Sequence, residues 1–145
     1  MLILNDMRRG ILIAAMVLVA AGCGERKQTE TVLGPEETAV EFFRAVAGGD
    51  AKAAMSLCDT AAMKSYVDSY VSALNAMAKK DSCATAIAAS ALVNAEIKID
   101  GNVKEGENRL VTYTVETVDG STKKKTATVQ KEGGEWKVVR ITDSL

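Results

Sequence analysis

The sequence predicts an α+β fold, in which N-terminal helices pack on a curved four-stranded antiparallel meander sheet. Apolar residues recur at steps of three and four over the first half of the domain, which is the spacing of amphipathic helices. In the second half they recur at steps of two, which is typical of strands with one wet face. Glycine-containing turns separate the strands, so each strand is expected to pair with the next.

The first two helices have clear boundaries. Pro35 suits the first position of a helix over residues 35–47, and two acidic residues that follow it complement the positive end of the helix dipole. Gly48-Gly49 ends this helix. Asp50 is then a good N-cap for a short second helix over residues 51–57.

A third helix is predicted from Asp59 or Thr60 to about Lys80, because one apolar stripe runs along it at steps of three and four. The stripe comprises Met63, Val67, Tyr70, Val71, Leu74 and Met77. The alanine-rich residues 82–91 fit either a short helix or an irregular connection.

Four strands are predicted after this point. The first alternates over residues 92–100, the second is centred on Tyr113, the third covers residues 122–131 and the fourth covers residues 136–141. Asp119-Gly120 is a hairpin signal between the second and third strands.

The composition excludes several classes of function. With 18 Lys and Arg against 19 Asp and Glu, the net charge is −1, so nucleic-acid binding as a main function is not expected. The absence of His removes the commonest metal ligand and the usual general base at neutral pH. We therefore predict no metal site, no cofactor and no catalytic residue, and we lean against an enzyme.

The first 22 residues have the pattern of a secretory signal peptide. Arg8 and Arg9 precede an apolar run over residues 11–21, whose length as a helix, roughly 16 Å, is too short for a hydrocarbon core about 30 Å thick. The run ends in Ala20-Ala21-Gly22-Cys23, which resembles a bacterial lipobox, although Ala20 stands where Leu or Val is usual. This resemblance implies lipidation of Cys23. The alternative is an ordinary secretory signal with a chance Cys.

A lipobox implies that the signal peptide is cleaved just before Cys23, and the predicted domain organisation follows from this cleavage. Residues 1–22 form a lipoprotein signal peptide, residues 23–33 the lipidated Cys and a flexible tether, and residues 34–145 the folded domain. Met7 is the expected initiator, because the residues before it add nothing to the signal. Gly24 follows the Cys, and by resemblance to the sorting signals of proteobacterial lipoproteins a Gly at this position implies the outer membrane. We therefore expect an anchor in the bacterial cell envelope, in the outer membrane and facing the periplasm.

Three segments carry a resemblance to a known superfamily: Pro35-Glu36-Glu37-Thr38-Ala39-Val40-Glu41-Phe42-Phe43, the break Ala47-Gly48-Gly49-Asp50, and the hairpin Gly133-Gly134-Glu135-Trp136-Lys137-Val138. From Gly34 to Leu145 the chain resembles the NTF2-like (cystatin-like) superfamily, and more narrowly the small bacterial lipoproteins with an uncharacterised domain of this kind. The resemblance implies a conical pocket at one end of the sheet. The superfamily also includes isomerases, dehydratases and cyclases that use a carboxylate or His in this pocket.

Two cysteines remain in the predicted domain. An exported chain passes through an oxidising compartment, so we expect Cys58 and Cys83 to form a structural disulfide. The alternative is two buried free thiols.

The candidate pocket-lining residues are Tyr66, Tyr70, Tyr113 and Trp136, since each has a ring face and one polar atom. The alternative is plain core packing. Acidic candidates for pocket chemistry, namely Asp59, Asp68 and Glu96, fall on polar faces and are expected to be solvated. The run Lys123-Lys124-Lys125, in which Lys124 points opposite to the other two, is expected to be a solvated strand end.

The fourth strand departs from simple alternation. Trp136 and Val138 occupy one face, whereas Val139 and Ile141 occupy the other. Because the helices cover only one face, we predict a weak homodimer with Val139 and Ile141 near the contact. The alternative is a bulge that keeps all four residues inside one monomer.

These observations favour a lipid-anchored, non-enzymatic envelope domain that binds a small ligand or a protein partner. The first alternative is a pocket enzyme of isomerase or hydrolase type, which a buried carboxylate in an open pocket would favour. The second is a structural lipoprotein that docks on another envelope complex, which a closed and fully packed cone would favour.

Overall fold

The computed structural model describes residues 32–144, which form four helices followed by a four-stranded antiparallel sheet in the order β1-β2-β3-β4. The predicted α+β class is therefore confirmed. The predicted signal peptide, Cys23 and most of the tether lie outside the described residues. Within the described part, no helix is long and apolar enough to cross a membrane.

The helices are α1 (Pro35–Ala47), α2 (Ala51–Ser56), α3 (Thr60–Lys80) and α4 (Ser82–Val93). An aspartate precedes each of the last three and accepts a hydrogen bond from a backbone N–H three residues further on, as N-caps do. The three donor–acceptor pairs are Ala53 N with Asp50, Ala62 N with Asp59 and Ala84 N with Asp81, at 3.0, 2.9 and 2.9 Å.

Helix α4 covers a segment for which the sequence analysis left two structures open, a short helix or an irregular connection. Its alanine-rich sequence, capped by Asp81, is helical throughout and includes Leu92 and Val93, which we had counted in the first strand. The strands are β1 (Glu96–Glu105), β2 (Asn108–Glu116), β3 (Thr122–Glu132) and β4 (Glu135–Ser144). The sheet therefore starts four residues later than the alternation indicated.

The core lies between the helices and one face of the sheet, which we call the inner face. Fully buried residues of the inner face pair across neighbouring strands, as Val111 does with Ala127 and Val129 does with Val138. Phe42 on α1 and Val67 on α3 cover them from the helical layer. Burial of these apolar surfaces against each other is the main stabilising term of the fold.

A bulge in β4 changes the side to which its apolar residues belong. Thr128 pairs with Arg140 and Val129 with Val138, so Val139 is the extra residue. Beyond the bulge, Ile141 pairs with the fully buried Ala127 and packs against the core. The expectation that Ile141 lies on the outer face was wrong. The homodimer remains a prediction. Of the two residues that suggested an apolar outer face on β4, Ile141 lies on the inner face and Val139 remains.

The connection between α2 and α3 covers the outer edge of β4. Asp59 N donates to Val138 O at 2.9 Å, and Val138 N donates to Leu57 O at 3.0 Å, so Cys58 forms a parallel bridge with Val138. This pairing buries Cys58 and satisfies backbone groups that an edge strand would otherwise leave open.

The expected disulfide between Cys58 and Cys83 is not formed: Cys58 is a free buried thiol and Cys83 a free exposed one. The physical reason is the helix between them. Cys58 precedes the start of α3 and Cys83 follows its end. The 21 residues of α3 rise about 31 Å, whereas the α-carbons of a disulfide lie within roughly 7 Å.

Candidate ligand-binding pocket

A cavity of about 450 Å³ lies between the helices and the end of the sheet where β2 turns into β3. We call this cavity the pocket. Its walls come from α1, α3, α4 and the inner face of β2, β3 and β4. The chain has only six aromatic residues, and five of them line the pocket: Phe42, Phe43, Tyr66, Tyr70 and Tyr113.

Three elements bring these five rings together. Tyr66 and Tyr70 stand four residues apart on α3 and so share one helix face. Tyr113 lies on the inner face of β2 and is fully buried. The Phe43 ring meets the Tyr113 ring edge-on with centroids 6.1 Å apart, and the Phe42 and Tyr66 rings are tilted at the same distance. Such pairs hold the rings in defined orientations.

The three tyrosines keep their hydroxyl protons over the whole physiological range. Burial is the first cause of the raised pKa of each phenol, and the shift is largest for Tyr113. Each phenol is therefore a neutral O–H group that can donate or accept a hydrogen bond. Tyr66 and Tyr70 keep exposed surface, whereas Tyr113 is fully buried.

The α4 wall is made of small and aliphatic residues, including Ala88, Ala91 and Leu92. Arg44 of α1 holds this wall in place, because its Nη1 donates hydrogen bonds to the carbonyl oxygens of Val93 and Ala95 at the end of α4. These carbonyls have no partner within a helix, so the guanidinium satisfies them.

The end of α1 also approaches α4 closely. A Cβ atom at Gly48 would lie 3.2 Å from Val93 Cγ2. A side chain at this position would therefore crowd Val93, which would have to shift slightly.

Two lysines and one aspartate stand at the rim of the pocket. Lys123 and Lys125 line it from β3, and Lys125 Nζ lies 2.6 Å from Asp143 Oδ1 on β4. Asp119 belongs to the β2–β3 turn, where it accepts hydrogen bonds from Thr117 Oγ1 at 2.6 Å and from Ser121 N at 2.9 Å. These bonds, that of Thr117 first, lower the pKa of Asp119 to about 2.

The sequence analysis expected residues 123–125 to be a solvated strand end, and Lys123 and Lys124 are indeed exposed, whereas the side chain of Lys125 is only 15% exposed. It did not place Lys123 and Lys125 beside a pocket. Lys123 pairs with Val115 and Lys125 with Tyr113, so both lie on the inner face. The signal was present in the parity of the strand: residues 123 and 125 share the face of Ala127 and Val129.

The remaining candidates lie elsewhere. Trp136 packs against the core with Lys131 Nζ 5.6 Å from its ring centroid, and it does not line the pocket. Glu96 is exposed on β1, and Asp68 forms a surface ion pair with Lys64 at 2.6 Å. Asp59 caps α3, and the hydrogen bond from Ala62 N is the first cause of its lowered pKa. No acid of this set reaches the pocket.

The lining of the pocket is mostly apolar, with a few polar and charged side chains. Among the lining residues, the carboxyl group is that of Asp119, whose lowered pKa makes it a weak base. Within residues 32–144, no group of three His, Cys, Asp or Glu side chains could hold a metal ion. The lining can therefore enclose an apolar body, form hydrogen bonds through phenols and present positive charge at one side.

Comparison with known proteins identifies a family for this chain. A family model described as a domain of unknown function (DUF4878) matches residues 21–139, which is well over half of the chain. No curated protein and no solved structure matches. The match covers all four helices and the sheet as far as Val139, so the chain belongs to the DUF4878 family.

Proposed function

We propose that this chain is a lipid-anchored protein of the bacterial cell envelope whose domain binds a small apolar ligand without transforming it. One observation carries the proposal: five of the six aromatic residues of the chain line one cavity of about 450 Å³. This volume lies within the range of about 300–1,000 Å³ that is usual for small-molecule sites.

Core packing alone does not account for this arrangement. A packed interior leaves few voids larger than a water molecule. Here the rings of Phe43 and Tyr70 border the cavity and are only half-buried, and the ring of Tyr66 is exposed. Tyrosines with one polar atom each suit a site that must hold an apolar body and fix its orientation. An open cavity also argues against the purely structural docking lipoprotein.

The enzyme alternative finds less support. Isomerase or hydrolase chemistry in such a pocket needs an acid or base whose pKa lies near the operating pH. The chain has no His. The pKa of Asp119, the carboxylate at the rim, is lowered to about 2 and so lies further from neutral pH than that of an ordinary aspartate. Binding without chemistry therefore fits the lining better.

The anchor and the family resemblance complete the proposal. The Ala20-Ala21-Gly22-Cys23 sequence after a short apolar run supports lipidation at Cys23, and the polar residues up to Leu33 would act as a tether. Helices that precede a meander sheet, with a pocket between them, support an NTF2-like domain. Gly24, which follows Cys23, supports a location in the outer membrane, facing the periplasm.

The test is saturable binding of a neutral aromatic probe, N-phenyl-1-naphthylamine, to the full chain carrying Cys23→Ser, followed by fluorescence. We expect micromolar binding that Ala91→Trp weakens at least about tenfold by filling the pocket. Ala86→Trp on the exposed side of α4 is the matched control and should bind as the parent does. Absence of saturable binding, or equal binding by the filled variant with unchanged thermal stability, would contradict the proposal.

A further inference from the structure

We propose that the ligand is an amphiphilic anion, whose apolar body lies among the five rings and whose anionic head contacts Lys123 and Lys125. This inference rests on the proposed function and names the ligand class of the same pocket.

The first argument is the position of the lysines. Both lie on the inner face of β3, where the next two residues of that face, Ala127 and Val129, are fully buried. Charged residues rarely occupy core-facing positions. The side chain of Lys125 is only 15% exposed, so its aliphatic stem forms part of the wall while its ammonium group reaches the rim. Lys123, nearer the start of β3, is exposed and lines the pocket at its open side.

The second argument is the charge balance at the rim. Asp119 is held by Thr117 and Ser121, and Asp143 is held by Lys125. Of the described residues, no carboxylate forms an ion pair with Lys123. Asp119 keeps its negative charge, because its two hydrogen-bond donors are neutral. The residues that line the pocket therefore carry two positive charges against one negative charge, whereas Asp143 lies outside the lining and is 77% exposed.

The third argument separates an anion from a cation. Aromatic rings also attract ammonium ligands, and Tyr66, Tyr70 and Tyr113 would offer such faces. A cation leaving the rings would however meet the ammonium groups of Lys123 and Lys125 against the single carboxylate of the lining, that of Asp119. An anionic head instead gains charge-assisted hydrogen bonds from the same two lysines.

The experiment compares three amphiphiles with the same twelve-carbon chain: dodecanoate, dodecanol and dodecyltrimethylammonium. Binding to the full chain with Cys23→Ser is measured by displacement of N-phenyl-1-naphthylamine below micelle-forming concentrations. We expect dodecanoate to bind about tenfold more tightly than dodecanol, and the cation to bind most weakly.

Variants at adjacent positions of β3 locate the head group. Lys123→Gln should weaken dodecanoate about fivefold and leave dodecanol unchanged. Lys124→Gln removes the same charge from the opposite face and should leave both affinities unchanged. An equal loss in both variants would indicate general attraction to a basic strand and would overturn the inference.

The outcomes distinguish this inference from the proposed function. If neither the neutral probe nor any amphiphile binds, both fail. If dodecanol matches dodecanoate, or the cation binds most tightly, the pocket still binds apolar ligands but the anionic head is refuted.

Discussion

Lys125 Nζ donates a hydrogen bond of 2.6 Å to Asp143 Oδ1 across the β3–β4 pair, and the two side chains differ sharply in exposure. Lys125 is 15% exposed and Asp143 is 77% exposed. The lysine is therefore lodged in the pocket wall, whereas its partner extends into solvent. The carboxylate of Asp143 offsets the charge of the Lys125 ammonium group, so this pair lowers the positive charge at the rim of the pocket.

Replacing the acid should increase anion binding with little effect on stability. Because Asp143 is mostly exposed, Asp143→Asn should change the free energy of unfolding by less than about 1 kcal/mol. The freed ammonium group of Lys125 should raise dodecanoate affinity about threefold and leave dodecanol unchanged. Probe displacement and urea unfolding measure the two effects. A fall in dodecanoate affinity would contradict the placement of the head group.

The turn acid Asp119 should make stability depend on pH in the acid range. Its folded pKa of about 2 lies below the unfolded value of about 3.9. The contribution is therefore fully present above about pH 4 and is lost as the pH falls towards 2. The melting temperatures of the parent and Asp119→Asn should differ most at neutral pH and converge below pH 4.

The variant Thr117→Val is the control for this effect, because it removes the hydroxyl that donates to Asp119. Its melting temperature should depend less on pH over the same range. A difference between the parent and Asp119→Asn that stays constant from pH 7 to pH 2.5 would contradict the assignment.

The two domain cysteines should react very differently with a thiol reagent. Cys83 is exposed and should be labelled in the native protein, whereas burial raises the pKa of the Cys58 thiol to about 11 and shields it. In the full chain with Cys23→Ser, mass spectrometry should find one label before unfolding and two after unfolding without reductant. A single label after unfolding, or none, would show that at least one of the two cysteines is in a disulfide and would contradict this prediction.

Arg44 should contribute to stability through the end of α4. Arg44→Met keeps much of the stem but leaves the carbonyls of Val93 and Ala95 without this donor, so we expect a loss of about 2 kcal/mol in the free energy of unfolding. The exposed Arg140, whose bond to Thr128 Oγ1 is 3.4 Å long, is the matched control. Equal effects of Arg44→Met and Arg140→Met would show that the α1–α4 contact is unimportant.

Cys23 should carry the membrane anchor. Mass spectrometry of the native N-terminus is expected to show an acylated Cys, and Cys23→Ser should move the protein from the membrane to the soluble envelope fraction. A fusion of residues 1–33 to an unrelated soluble protein should be found in the membrane. An unmodified start elsewhere in the chain would contradict this prediction.

Local periodicity by itself determined the fold class and closely matched the bounds of the first three helices, whereas it placed the start of β1 four residues too early. The stripe on α3 and the alternation around Tyr113 depend only on neighbouring residues, because the helical and strand periods are local properties of the backbone. The predicted length of α3 also contained the reason why Cys58 and Cys83 are far apart, although the sequence analysis did not use it. The alanine-rich α4 was ambiguous because its residues carry no periodic contrast.

Only the tertiary structure decided the pocket and the faces of β4. The rings that line the pocket come from α1, α3 and β2, and their convergence depends on how those elements pack rather than on any local pattern. The side of Ile141 depends on the bulge at Val139, and a bulge exists only relative to the partner strand. Likewise, Lys123 and Lys125 became candidate ligand contacts only when pairing placed them beside Val115 and Tyr113 under an open end of the helical layer.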